Sequence, residues 1–158
     1  MWREASPITP SARRKSRSAS RASGLGRPLS EKNTSVVDAN VIVSLLLADE
    51  RAHFERARAF FEPVREGGES AYIPSAVIAE CIYVFTRVYG VKREEAATKL
   101  LALLDYRGVT VESPAVRQAL ALFRDRKVDF VDALVAATAR ERGWRVFSFD
   151  RDLEKLAK

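Results

Sequence analysis

One stretch of the sequence, residues 128–152, constrains the fold most, because it combines a helix, a glycine stop and a short β-prone run. Asp129 and Asp132 are three residues apart, so they lie on the same face of one helical turn. Strong helix formers follow, and Gly143 is placed to end the helix. Arg145–Phe149 is short and apolar, which predicts a strand. The stretch therefore predicts a helix that leads directly into a strand, as in α/β proteins.

The rest of the chain after residue 34 alternates short strands with helices. The predicted strands are Ser35–Val37, Ala71–Ile73 and Val109–Val111, and the predicted helices are Val41–Leu47, Arg51–Arg65, Pro74–Tyr89, Lys92–Tyr106, Pro114–Arg124 and Leu153–Lys158. Alternating strands and helices form mostly parallel sheets that helices cover on both faces. The predicted fold is therefore a three-layer α/β/α sandwich with a mostly parallel central sheet.

Composition narrows the chemistry that this chain can perform. Its 158 residues, 47% of them hydrophobic, are enough for one domain with a sizeable core. No apolar run approaches the roughly 20 residues that a membrane helix needs. Cys81 is the only cysteine and His53 the only histidine, so an internal disulfide, a Cys/His metal site and a catalytic triad are excluded. Any catalysis is therefore expected to use carboxylates.

The excess positive charge is confined to the N-terminal segment. Residues 1–33 carry eight Lys or Arg and two Glu, whereas the other 125 residues carry 19 basic and 19 acidic side chains. The segment is rich in Arg, Ser, Pro and Gly and poor in apolar residues, so we expect it to be disordered. Three interpretations stay open: an artefactual or upstream-extended start, a nucleic-acid-binding arm, and a transit peptide. Residues 34–158 are expected to form the folded domain.

Glu80 is the only acid between Ala71 and Val88, on a helix that is apolar on nearly every side. We therefore expect its side chain to be buried, and a buried carboxylate needs a partner, a raised pKa or a metal ion. A salt bridge to an arginine of another helix would satisfy this need. Ser75 is the expected N-cap of the same helix, and Cys81 is expected to be a small core residue.

The remaining acids each have a structural interpretation. Asp129 and Asp132 resemble a capping box at the start of a helix. Asp150 or Asp152 could cap the last helix, and Asp38 could belong to a turn after the first strand.

A shared site accounts for these acids together. Two strand ends, one helix start and the middle of another helix supply acids that can face one cleft: Asp38, Asp150, Asp129, Asp132 and Glu80. Clustered carboxylates repel one another, and a divalent cation relieves that repulsion at neutral pH. Because every ligand would be an oxygen, the expected cation is Mg²⁺ or Mn²⁺.

Four segments resemble, in order and spacing, the acidic motifs of PIN-domain ribonucleases, and most closely those of the VapC toxins of bacterial and archaeal toxin–antitoxin pairs. The segments are VVDANVIVSLL, IPSAVIAECIYVF with its single Glu, DFVDALVAATA and FSFDRDL. Each motif alone is weak, whereas four in sequence on an α/β pattern are specific, and the match covers about residues 35–156. The basic N-terminal segment departs from the family pattern, because such toxins usually begin just before the first strand.

The resemblance implies a PIN-like fold and a metal-dependent endoribonuclease, the toxin of a type II toxin–antitoxin pair. The family's metal-binding and catalytic acids correspond to Asp38, Glu80, Asp132 and Asp150, with Asp129 as a fifth or supporting carboxylate. Asn40 and Ser148 match small polar positions that support these acids. The implied cofactor is Mg²⁺ or Mn²⁺, the implied partners are RNA and a small antitoxin protein, and the implied location is the cytoplasm, without membrane contact.

The implied reaction is metal-assisted hydrolysis of a phosphodiester, in which the ion activates water and neutralises phosphate charge. No protein nucleophile is required, which agrees with the scarcity of His and Cys. Single-stranded or looped RNA is the expected substrate. Four basic side chains are candidates for steering RNA: Arg87, Arg124, Arg126 and Lys127. The alternative interpretation is that they are solvated surface charges.

Three alternatives stay open beside the ribonuclease. A haloacid-dehalogenase-like phosphatase would use Asp38 as nucleophile, but position 40, where it needs a second Asp, is Asn40. A receiver-like binding module would need paired acids after the first strand and a late lysine, and neither is evident. A catalytically degenerate PIN module that serves as a scaffold has no sequence feature that distinguishes it from an active enzyme.

The sequence also predicts self-association. The apolar helix expected at Ala76–Tyr89 and the amphipathic one at Glu94–Leu104 carry more hydrophobic surface than one small sheet needs. We therefore expect a homodimer.

Overall fold

A computed structural model describes residues 33–158 of the chain. Its strands are β1 (Thr34–Val36), β2 (Ser70–Tyr72) and β3 (Val109–Thr110). Its α-helices are α1 (Ala39–Leu47), α2 (Arg51–Arg65), α3 (Ser75–Tyr83), α4 (Arg93–Leu104), α5 (Ala115–Asp125), α6 (Phe130–Arg142) and α7 (Arg151–Leu156), and a π-helical turn at Val84–Val88 continues α3. The expectations for residues 1–33 fall, apart from Asn33, outside the described residues.

The three strands form a parallel sheet in the order β1-β2-β3. The central strand β2 pairs its Ala71 with Ser35 on one side and with Val109 on the other. Because all three strands run in the same direction, their carboxyl ends meet at one edge of the sheet. Helices pack around the sheet, and the predicted three-layer α/β/α fold is confirmed.

Apolar side chains from the sheet and from most helices share one core. The largest fully buried ones are Phe61, Phe85, Ile42, Ile73, Ile78, Leu100, Leu103, Leu104 and Leu120. Each such burial contributes about 1.5–3 kcal/mol, so this core is the main source of stability. α5 packs closely against α6, whose buried face is built from alanines that let the two helices approach: Ala133, Ala136, Ala137 and Ala139. Among the described helices, none combines the length and the apolar character needed to cross a membrane.

The predicted helix ends agree with the structure where local signals set them. α2 has the predicted bounds, and α6 begins after Asp129 and ends at Gly143, whose φ of 66° is the left-handed conformation that glycine adopts most easily. The start of α3 differs by one residue, because Pro74 is the N-cap and Ser75 is the first helical residue. Sequence patterns locate helix ends only to within one or two residues.

The strand predicted at Arg145–Phe149 is absent from the structure, so that prediction is wrong. Phe147 and Phe149 are 90% and 98% exposed, and their rings pack edge to face with centroids 5.9 Å apart. β1 lies at one side of the described sheet, and Val36 is largely exposed there. A β-prone run becomes a strand only when a neighbouring edge supplies ladder hydrogen bonds, and this segment makes none with β1.

Candidate functional site

Asp38 stands just after the first strand, at the carboxyl edge of the sheet. The preceding residue, Val37, is buried, and its N–H donates to the carbonyl of Tyr72 at 3.0 Å, which fixes the chain up to the acid. Asp38 is the N-cap residue of α1, but its carboxylate makes no capping hydrogen bond. It instead accepts a hydrogen bond from Asn40 Nδ2 at 3.2 Å. Asn40 thus contacts the acid that the sequence motif predicts it to support.

Glu80 is brought near Asp38 by the packing of α3 against α1. The thiol of Cys81, the residue after Glu80, lies 3.9 Å from the carbonyl oxygen of Ala39, the residue after Asp38. Burial, followed by the negative charges of Glu80 and Asp38, raises the pKa of the Cys81 thiol to about 12. The thiol therefore stays protonated at neutral pH, where it is neither an effective nucleophile nor a metal ligand.

The expected burial of Glu80 is contradicted, because its side chain is exposed. α3 turns Ile78, Cys81 and Ile82 into the core and leaves Glu80 outside it. The apolar character of the helix is misleading here, since Tyr83 on its outer face is also exposed. A solvated carboxylate needs no salt bridge, so the charge of Glu80 carries no burial cost.

Asp129 and Asp132 lie at the start of α6, as predicted. Asp129 is the N-cap residue, but its carboxylate makes no capping hydrogen bond, so the predicted capping box is not formed. Asp132 is half-buried in the first turn of the helix. Both carboxylates are favoured by the positive end of the helix dipole, and both keep oxygen atoms available to a ligand.

Asp150 occupies a different setting from the predicted strand end. It is the N-cap residue of α7 and accepts a hydrogen bond from the backbone N–H of Asp152 at 2.8 Å. Its own N–H donates to Ser148 Oγ at 3.0 Å, so Ser148 contacts the acid that the motif predicts it to support. Local turn hydrogen bonds, and not a strand, therefore place Asp150.

Three of the five acids open into one cavity of about 560 Å³. The charged residues that line it are Asp129, Asp132, Asp150, Asp152, Arg126, Lys127 and Lys155. The Lys155 ammonium is engaged by Asp152, with Nζ and Oδ1 3.0 Å apart. The side chains of Arg126 and Lys127 have no ion-pair partner within residues 33–158. The cavity therefore combines carboxylates with two available positive charges.

The structure arranges the predicted acids as two groups. Asp38 and Glu80 form one group around Cys81, and the acids of α6 and α7 form the other. α3 packs against both α1 and α6, so the groups lie on neighbouring elements. Within residues 33–158, no three Asp, Glu, His or Cys side chains are close enough to hold a metal ion as they stand. The donor chemistry nonetheless fits a hard divalent cation, because every candidate is a carboxylate.

Glu112 is a residue that the sequence did not identify. Its carboxylate accepts two hydrogen bonds from the backbone N–H of Ser75, at 2.8 and 3.0 Å, and one from Ser75 Oγ at 3.1 Å. Glu112 follows β3, so an acid at the end of one strand binds the start of α3, the helix that follows the neighbouring strand β2. It thereby anchors α3, which carries Glu80. The available signal was an acid just beyond a predicted strand, the same pattern that identified Asp38.

Comparison with known proteins identifies the family. A family model described as the PIN domain matches residues 35–158. The chain belongs to the PIN-domain family. The match includes all five predicted site acids. It also covers every described strand and helix of this PIN domain, apart from Thr34, the first residue of β1.

A curated relative narrows the assignment of this PIN domain. The chain is 30% identical over 123 residues to a VapC ribonuclease of Aquifex aeolicus (strain VF5), and the alignment spans 77% of this chain and 90% of that protein. The predicted resemblance to VapC-type PIN ribonucleases is confirmed. The alternative functions, a phosphatase, a non-catalytic binding module and a catalytically degenerate PIN scaffold, are not favoured.

Proposed function

We propose that this PIN-domain protein is a divalent-metal-dependent endoribonuclease of the VapC type, which hydrolyses phosphodiester bonds in RNA. The observation that carries the proposal is the cavity shared by Asp129, Asp132 and Asp150. The second group of acids, Asp38 and Glu80, lies at the start of α1 and on α3, and α3 packs against α6. The family match over residues 35–158 supports the proposal and also supports residues 34–158 as the nuclease domain. The basic segment 1–33 then lies outside that domain.

The proposed metal ligands are the carboxylates of Asp38, Glu80, Asp132 and Asp150, with Asp129 as an additional or supporting acid. The proposed ion is Mg²⁺ or Mn²⁺, because all-oxygen donors suit these cations. When bound, such a cation neutralises charge on the phosphate and lowers the pKa of the attacking water. The chain's own part is to orient the acids, which Asn40 does for Asp38 and Ser148 does for the backbone of Asp150.

Arg126 and Lys127 are the proposed phosphate contacts of the cavity. Both line it together with the acids, and neither side chain has an ion-pair partner within the described residues. Arg124 is less suited, because its guanidinium is engaged by Asp125, with Nε and Oδ1 2.7 Å apart. Positive charge beside the acids offsets their repulsion of the RNA backbone, so Arg126 and Lys127 favour entry of a single strand.

The direct test is cleavage of a labelled single-stranded RNA by the purified full-length chain. We expect cleavage with Mg²⁺ or Mn²⁺, none after chelation with EDTA, and none by Asp38→Asn or Asp132→Asn. Glu69→Gln is the matched control, because this exposed glutamate precedes β2 and therefore lies at the opposite edge of the sheet. RNA binding without cleavage under all metal conditions would instead favour the degenerate scaffold.

A small antitoxin protein is the proposed physiological partner, since the chain is VapC-like. The proposed location is the cytoplasm, where RNA and an antitoxin would meet. Apolar side chains available to a protein partner support the proposal: Trp144 is 64% exposed, and Phe147 and Phe149 are almost fully exposed. Exposed apolar patches of this kind mark surfaces that other molecules cover. Co-expression with an antitoxin should give a stable complex in which cleavage is inhibited.

We also propose that the chain forms a homodimer through the end of the α3 helix. Val88 and Tyr89 remain exposed there, which supports the proposal, whereas α4 buries its apolar face in the core and contributes little free surface. Light scattering should give the mass of two chains, and Val88→Glu should halve it. Thr98→Glu, at an exposed position of α4, is the control and should leave the mass unchanged.

A further inference from the structure

A second cavity, of about 630 Å³, adjoins the acidic one and shares Asp129 and Asp132 with it. Its other walls come from α3 with its π-helical turn, from the segment that leads into α4, from the end of α5 and from the start of α6, and they include Tyr83, Thr86, Arg87, Arg93 and Phe123. Sites for small molecules occupy about 300–1,000 Å³, so the space is large enough for a nucleotide. A strand of RNA that reaches the acids therefore has an adjoining space for the nucleotide next to the bond that is cleaved.

Most polar side chains of this cavity are already engaged. Thr86 Oγ1 donates to the carbonyl of Ile82 at 2.8 Å. The guanidinium of Arg93 lies over the ring of Phe123 and donates to the carbonyl oxygens of Phe123 and Arg126. Arg93 and Thr86 therefore serve as wall and not as ligand contacts.

Tyr83 and Arg87 differ from these wall residues. Tyr83 is 62% exposed, and within residues 33–158 neither its hydroxyl nor the guanidinium of Arg87 has a hydrogen-bond or ion-pair partner. The two residues are four apart and line the same cavity, so an aromatic ring and a free positive charge lie side by side. A nucleotide presents a complementary pair, a flat base and a phosphate.

The backbone at this point is also unusual. The π-helical turn carries Arg87, and its wider hydrogen bond joins the N–H of Tyr89 to the carbonyl of Val84 at 3.1 Å. Such turns are uncommon and often occur at functional sites. Here the turn widens the helix at the point where it lines the cavity.

We propose that Tyr83 and Arg87 form a nucleotide-binding subsite of the ribonuclease: the base of the nucleotide next to the scissile phosphate stacks on the ring of Tyr83, and Arg87 binds its phosphate. The inference rests on the proposed function, because it takes single-stranded RNA as the ligand. Stacking on a tyrosine is tolerant of base identity, so the subsite selects unpaired nucleotides over paired ones.

The test measures binding of a fluorescent single-stranded RNA to the full-length chain in the Asp38→Asn background, so that hydrolysis does not deplete the probe. Tyr83→Ala should raise Kd about tenfold, whereas Tyr83→Phe, which keeps the ring, should leave Kd nearly unchanged. Arg87→Ala should lower the slope of log Kd against log salt by about 0.7, the effect of one lost phosphate contact on a single strand. Arg58→Ala, which replaces an exposed arginine outside this cavity, should change neither quantity.

An abasic nucleotide, moved one position at a time along the probe, locates the contact. At one position next to the cleavage site, loss of the base should raise the Kd of the chain that keeps Tyr83. The same loss should leave the Kd of Tyr83→Ala unchanged. Additive effects at every position would overturn the subsite. A change of mass in light scattering by Tyr83→Ala with unchanged RNA affinity would also overturn it, because Tyr83 would then contact a second copy of the chain.

This subsite and the proposed function fail in different ways. A chain that cleaves RNA normally when Tyr83 and Arg87 are both replaced by alanine has the nuclease activity without the subsite. A chain that cleaves no RNA in any metal, yet keeps the position-specific abasic effect, has the subsite without the nuclease activity.

Discussion

The guanidinium carbon of Arg93 lies 4.5 Å from the centroid of the Phe123 ring. The same group donates hydrogen bonds to the carbonyl oxygen of Phe123, at 3.2 Å, and to that of Arg126. Arg93 belongs to α4, whereas Phe123 and Arg126 lie at the end of α5. One side chain thus fixes the turn that leads from α5 into Asp129 and the acidic cavity.

We expect Arg93→Met to lower the free energy of unfolding by about 1.5–3 kcal/mol, because two carbonyl groups lose a charged donor. Cleavage should fall as well, since the turn before Asp129 loses its anchor, and Arg93→Lys should restore only part of both losses because an ammonium lacks the planar fork. Urea unfolding and RNA cleavage provide the measurements. Arg58→Met, which removes an exposed pair with Glu62, is the control and should cost less than about 1 kcal/mol; an equal loss in both variants would contradict the anchoring role.

The acid pair Asp38–Glu80 makes a prediction about the sign of a stability change. Asp38→Asn keeps the shape of the side chain and removes one negative charge, so without added metal its melting temperature should equal or exceed that of the natural chain. Mg²⁺ or Mn²⁺ should raise the melting temperature of the natural chain by mass action and raise that of the variant much less. If Asp38 took no part in binding the cation, Mg²⁺ or Mn²⁺ would change the melting temperatures of the natural chain and of the variant equally.

The exposed pair Tyr89–Asp49 predicts a pH dependence. The Tyr89 hydroxyl donates to Asp49 Oδ2 at 2.6 Å, and this hydrogen bond is the main cause that lowers the pKa of Asp49 and raises the pKa of Tyr89. Because the carboxyl pKa is lowered in the folded chain, the ionised Asp49 stabilises the fold when the pH is above the ordinary pKa of 3.8. That stabilisation is lost as the pH falls through the lowered pKa. Below about pH 4, melting temperature should therefore fall more steeply for the natural chain than for Tyr89→Phe.

The raised pKa of Tyr89 acts at the other end of the range. Its contribution is present below the ordinary value of 10 and is lost as pH rises through the raised pKa. Melting curves across both ranges test the pair. Tyr83→Phe removes the hydroxyl of another exposed tyrosine and should leave the pH dependence of the melting temperature unchanged at both its acidic and its basic end.

Gly108, at the entry to β3, should not tolerate a side chain. Its N–H donates to the carbonyl of Val64 at 2.9 Å, and an added Cβ would lie 2.7 Å from that oxygen and even closer to the carbonyl oxygen of Glu69. Gly108→Ala should therefore destabilise the fold by about 1–3 kcal/mol or more, since backbone must move. Gly68→Ala, where the nearest atom is the Pro63 oxygen at 3.4 Å, should be nearly neutral in the same unfolding series.

Local signals predicted the positions that local chemistry decides. Asp38 was predictable because a short apolar run ends just before it, and the start and glycine end of α6 were predictable from the local order of residues. The exposure of Glu80 was not, because an apolar helix surface does not reveal which side faces the core. The strand predicted at Arg145–Phe149 failed for a related reason, since ladder hydrogen bonds depend on a partner that the segment itself does not encode.

Long-range contacts account for the rest of the difference. Glu112 reaches Ser75 across 37 positions of the chain, and Arg93 reaches Arg126 across 33. No periodicity connects residues so far apart, so the sequence indicates their chemistry but not their partners. These two contacts hold the elements that carry Glu80 and Asp129.

The single cysteine supplies a built-in reporter of motion at the site. Cys81 is buried between α3 and the start of α1, where its thiol contacts the Ala39 carbonyl. A thiol reagent reaches this buried side chain when α1 and α3 separate, so the rate of labelling in native buffer measures how often the contact between these two helices opens. Because no other cysteine competes for the reagent, that opening can be timed in the natural sequence without any engineered probe.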